Sequence, residues 1–286
     1  MQLERQKTFG WLISVEIFLA GAGGGAFLFS YIYNLLEKYR SIAKTGMIVG
    51  ISLVIIGVVL LFIELGNKKR FYRVAFSTTS WISRGSWLLT LFIIFGLIYL
   101  SSGYVGYLDV DSTVAKTIGA IASAFAVFVM CYTGFLLGAA KRIPLWNTSG
   151  LPILFFFSSL YTGNAIILLI AAFLEKSIAE ALRPLVVIQL IIVFLQMIVL
   201  GTFLGTAAYG GTTLSESVHH LIKNSLFVTL VIVIGLIIPL GLLGYQAVVN
   251  NAFMLSIPAA IFSLIGGFYL RYGIMNAGMR LPVSAF

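Results

Sequence analysis

Haem, copper and zinc chemistry all need side chains that this chain barely has. Its only histidines, His219 and His220, are adjacent, so on a helix they point about 100° apart and cannot ligate a haem from facing helices. The same shortage argues against His-ligated metal. The single cysteine, Cys131, lies in an apolar run with no second thiol, which excludes disulfides and thiolate clusters and reads as a small buried side chain. No phosphate-binding loop, dinucleotide fingerprint or nucleophile elbow occurs at the required spacing. What remains is a set of polar groups placed where they are costly. Glu16 stands between Val15 and Ile17 in the first apolar run. An intramembrane acid faces a bundle interior or holds its proton, and is a functional candidate; the alternative is a surface acid, a turn and a half past Trp11. Glu64 ends the second run and suits either proton transfer or an ion pair with Lys68 or Arg84.

Two polar clusters stand in later runs. Tyr132 and Thr133 precede Gly134 and Gly138, and Ser158, Ser159, Tyr161, Thr162 and Asn164 surround Gly163. Tyr, Ser, Thr and Asn hydrogen-bond a quinone carbonyl or pass a proton, and the same groups serve as interhelical glue. Gly21, Gly23, Gly24 and Gly25 follow Glu16 and admit either a neighbouring helix or a flat ring. Gln189 and Gln196, two turns apart on one helix face, are expected to bind another helix.

The elements that carry these residues follow from composition. Of 286 residues 60% are hydrophobic and 9% charged, and the mean hydropathy is +1.07. That surface is incompatible with water, and the chain is read as an all-α integral membrane protein. A crossing needs roughly 20 apolar residues. Eight runs qualify, at about 11–36, 46–66, 85–104, 117–140, 152–174, 184–208, 221–249 and 253–274. Four precede and four follow the loop Lys141 to Gly150, which predicts two four-helix bundles, 1–145 and 146–286. Asn250 and Asn251 predict a tight hairpin between the last two helices. An even number of crossings puts both termini on one side.

The net charge of +9 would suggest nucleic acid in a soluble protein, but here the cations flank apolar runs, so no nucleic-acid partner is expected. Twelve Lys and Arg, Arg271 among them, fall on the side of the termini and six on the other, which predicts cytoplasmic termini. Five of the twelve, Lys68, Lys69, Arg70, Arg73 and Arg84, crowd the segment Asn67 to Arg84 with Trp81. Such a loop either holds a partner or anchors helix ends at the lipid headgroups.

"EIFLAGAGGGAF" after Trp11, then "ELGNKKRF" with "SRGSWLL", then "YTGFLL" running into "PLW" and "FFFSSLYTGNA", resembles the polysulfide reductase membrane-subunit family, the NrfD-type proteins, over most of residues 9–165. The second half is similar mainly in hydropathy. The resemblance implies a haem-free, multi-pass subunit of a prokaryotic cell membrane that exchanges electrons with menaquinone or menaquinol. It also implies a four-cluster ferredoxin-like iron-sulfur partner and a molybdopterin catalytic subunit, so this polypeptide alone should show no turnover. In the family the quinone site is formed early in the first helix and late in the fourth, which here places Glu16 and Tyr132 at the chemistry. Gly21, Gly24 and Thr133 are assigned to the cofactor, and Lys68, Lys69, Arg70, Arg73, Trp81 and Arg84 to docking. The acidic-Leu-Gly segment is matched by Glu64, Leu65 and Gly66, but Asn67 to Arg70 replace the usual Arg-Pro. Family members dock their soluble subunits on the outer face, opposite to the charge count. A transporter whose two halves rock about a midplane site is the alternative expectation. A structural anchor without quinone is a third.

Overall fold

The computed structural model describes residues 4–5, 10–64, 80–105, 111–174, 179–249 and 253–280. Eight helices are long and apolar enough to cross a bilayer. They are α1 (Trp11–Asn34), α2 (Arg40–Glu64), α3 (Trp81–Val105), α4 (Thr113–Gly138), α5 (Gly150–Leu174), α6 (Ala179–Ala208), α8 (Ser225–Val248) and α9 (Ser256–Ala277). Between α6 and α8 lies a twelve-residue helix, α7 (Thr212–Lys223), that the hydropathy pattern hides because half its surface is polar. Helices prevail because a spanning backbone has no water to bond and must satisfy every N–H and C=O internally. Ser30, Ser159 and Ser263 obey the same constraint, each donating its hydroxyl to the carbonyl four residues earlier at 2.7 Å.

Short extended segments β1 (Glu4–Arg5) and β2 (Met279–Arg280) pair antiparallel, which holds the two termini together at one end. Helix α1 is central and packs on α2, α4, α5 and α9. Helices α2, α3 and α4 complete a ring with it, while α5, α6, α8 and α9 form a second ring. The seam between α1 and α5 is a backbone contact: a Cβ on Gly25 would overlap the carbonyl of Ser159, and one on Gly163 would overlap Gly25. Gly235 and Gly266 make the same contact between α8 and α9.

Polar groups along α5 tie the rings. Tyr33 donates to Asn164 Oδ1 at 2.9 Å, Asn164 donates to Gln189 Oε1 at 2.8 Å, and Gln189 donates to the Tyr161 carbonyl at 3.1 Å. Gln189 therefore binds a neighbouring helix as its spacing suggested, whereas the buried Gln196 Oε1 accepts no hydrogen bond among the described residues. Helix α8 is π-helical over Val228–Ile237. Pro239 has no N–H to give the Gly235 carbonyl four residues before it, and the Tyr161 hydroxyl donates there instead. Tyr161→Phe should strand that carbonyl in a dry interior and cost about 1–2 kcal/mol, read as a lower thermal unfolding midpoint in detergent.

Candidate functional site

Helices α1 and α4 run antiparallel, so a residue early in α1 and one late in α4 reach one depth at the end bearing the termini. Glu16 and Tyr132 do so, each 2% exposed. The Glu16 carboxyl is close enough to bear electrostatically on the Tyr132 phenol. Two glycines make this possible. Gly57 lets α2 lie against the backbone of α1 at Glu16 and Ala20, and Gly85 of α3 leaves the space that the Tyr132 ring fills. Thr133 is fully buried, and its hydroxyl has no hydrogen-bond partner among the described residues.

The first turn of α3 closes the same corner. Trp81 stacks on Phe135 of α4, one turn beyond Tyr132, with centroids 5.3 Å apart and planes 8° from parallel. The Arg84 guanidinium lies over the Trp81 ring at 5.0 Å and is itself exposed. Lys68, Lys69, Arg70 and Arg73 lie outside the described residues, as does the side chain of Glu64.

Gly21 and Gly24 face protein. A Cβ on Gly24 would stand 3.2 Å from the Ala126 carbonyl of α4, and one on Gly21 would stand 2.7 Å from the guanidinium of Arg271. That arginine is the residue the charge count misplaced. It is a fully buried member of α9, six residues before the helix ends, and not a headgroup cation. Removing it leaves eleven cations against six, so the predicted orientation keeps its sign. Arg271 donates to Ser158 Oγ and Ser159 Oγ, each at 2.9 Å, and to the Gly267 carbonyl at 3.0 Å. Phe18 and Phe155 lie beside the guanidinium at 5.7 and 5.5 Å. Among the described residues no carboxylate pairs with it, and its Nε has no acceptor. A lone cation between Tyr269, Leu270 and Ile274 was the available signal. His219 and His220 sit on α7 and not on a spanning helix, the first exposed and the second half-buried. Trp146 of the "PLW" signature is buried and donates its indole N–H to the Ile274 carbonyl at 3.1 Å, pinning the Lys141 to Gly150 loop to α9.

The family model described as polysulphide reductase, NrfD, matches residues 2–282. Protein NrfD of Escherichia coli is 27% identical over 195 residues, 59% of this chain and 61% of that one. The NrfD homolog of Haemophilus influenzae is 25% identical over 305 aligned residues, covering 95% of this chain and 94% of its own. The C component of polysulfide reductase from Wolinella succinogenes is 28% identical over 299, covering 94% and 93%. With eight spanning helices and a family match that runs nearly from end to end, the chain belongs to the NrfD polysulphide reductase family and is a multi-pass membrane protein.

Proposed function

We propose that this protein is the membrane anchor of an oxidoreductase complex and exchanges electrons between menaquinone or menaquinol and an iron-sulfur subunit, with a molybdopterin subunit carrying the terminal substrate. Membership of the NrfD family supports the anchor role, and the Wolinella relative, being named as one lettered component of polysulfide reductase, supports an assembly of several polypeptides. The observation that carries the quinone reading is the burial of Glu16 and Tyr132 at one depth, near enough for the carboxyl to bear on the phenol.

The residues present fit a quinone head group. A phenol, a carboxyl and the spare hydroxyl of Thr133, all buried, supply the hydrogen-bond partners that two ring oxygens need. A bound quinone supplies two-electron redox chemistry coupled to protons. Tyr132 orients a ring oxygen by donating its hydroxyl proton. Glu16 exchanges a proton with a ring oxygen at its carboxyl. The exposed Arg84, with the basic segment before it, supports docking of an acidic iron-sulfur partner at this end. The two helix rings support a division into four-helix units near residue 145. A rocking transporter is less favoured, because α1 and α5 touch backbone to backbone at Gly25 and Gly163.

Glu16→Gln and Tyr132→Phe in the assembled complex should each lower quinol-linked electron transfer about a hundredfold while partner subunits still co-purify. Undiminished transfer in both variants rejects the site. Purification of a stable protein with neither an iron-sulfur polypeptide nor quinone rejects the function.

A further inference from the structure

We infer that the groove between the Lys141 to Gly150 loop, the start of α5 and the end of α6 is a binding site for one anionic phospholipid. It encloses about 560 Å3 and has a graded lining. At its mouth are Asn147, Thr148 and Ser149; farther along the helices its walls are Ile153, Val199 and Phe203. The span from Ala207 back to Val199 covers roughly 12 Å along α6, so the groove runs inward through one leaflet.

The groove opens sideways. Ile153 is 52% exposed on a spanning helix, and Thr202 and Thr206 are exposed on α6. Surface exposed on a spanning helix faces lipid. The hydroxyls of Thr202 and Thr206 are spent on carbonyls of their own helix, at 3.0 and 2.8 Å, so these residues offer methyl groups to the groove. The inner part therefore takes a hydrocarbon tail, and the mouth takes a polar head. A free phosphate would use only the mouth.

Charge selects the head group. Lys141 and Arg142 are exposed on the loop whose later residues form the mouth, and the first turn of α5 carries no acid. Leu214 of α7 roofs the groove, and on that helix Glu216 is offset by Lys223. The lining itself is uncharged, and the two exposed cations Lys141 and Arg142 on the same loop favour a phosphate diester without a compensating amine, as in phosphatidylglycerol, over a zwitterionic head. The site uses none of the residues assigned to the quinone.

The test is lipid retention by the intact complex purified in mild detergent. Bound lipid is read by native mass spectrometry, and exchange is followed against nanodiscs of phosphatidylglycerol or phosphatidylcholine. The expected result is about one phosphatidylglycerol per protein molecule. Thr202→Trp, which fills the wall from an exposed position, and Lys141→Glu with Arg142→Glu, which reverses the charge of the loop that leads into the mouth, should each weaken retention at least tenfold. Quinol-linked turnover should remain in both variants, which also shows that they fold. Equal retention of both lipids, a phospholipid that survives both changes, protection by inorganic phosphate alone, or quinone as the molecule lost in Thr202→Trp would each overturn the assignment.

Discussion

Gly163→Ala should cost about 3 kcal/mol and Gly163→Leu should prevent the protein from accumulating folded in the membrane. A Cβ at this position would stand 2.5 Å from the Ala26 nitrogen and closer still to Gly25, and both are backbone atoms of α1. Backbone cannot swing aside as a side chain can, so α1 and α5 must separate along the whole seam and lose packing on both sides. The control is Gly241→Ala in α8, where a Cβ meets nothing within 4 Å. There alanine should be neutral or stabilise by up to about 1 kcal/mol, because it restricts the unfolded backbone and clashes with nothing. Thermal unfolding of the two variants in one detergent measures the contrast. Equal shifts would show that the seam is not the tight contact described.

The second large effect is expected at the buried arginine, and its sign is less intuitive. Replacing both Ser158 and Ser159 by alanine should destabilise by about 3–5 kcal/mol, whereas Arg271→Met should be near neutral or stabilising. The serines supply two of the three acceptors that Arg271 has, so removing them leaves a cation in hydrocarbon with the Gly267 carbonyl and two ring faces. Methionine removes the charge itself and fills similar volume between Phe18 and Phe155. Ser159 keeps its bond to the Phe155 carbonyl at 2.7 Å in that variant. Arg271→Met that unfolds as readily as the double serine variant would mean that the guanidinium contributes more attraction than its burial costs.

Several elements are readable in the sequence. Each apolar run has to be a helix, because a bilayer leaves the backbone no other way to bond itself, and eight runs give eight spanning helices. Glu16 and Tyr132 are paired by the family resemblance, and antiparallel helices bring an early and a late residue to one depth. The surface helix α7 and the π-helical stretch in α8 are not readable. The first has the polarity of a loop, and the second lies where Tyr161 and Gly266 reach Gly235 from neighbouring helices.

Sequence by itself therefore determined the membrane, the number of crossings, the shared side of the termini and the short list of polar groups. These follow from one-dimensional quantities: the length of a run, its polarity and the parity of crossings. Tertiary structure alone decided the partners. Gly21 and Gly24 meet an arginine and a helix backbone, Gly25 and Gly163 close the seam, and Arg271 moved from an expected headgroup position into the core. The physical reason is that a glycine encodes only permission for close approach, and a lone cation only a cost. What approaches the one, and what offsets the other, depends on which helix faces lie opposite each other, and that pairing is a property of the packed bundle.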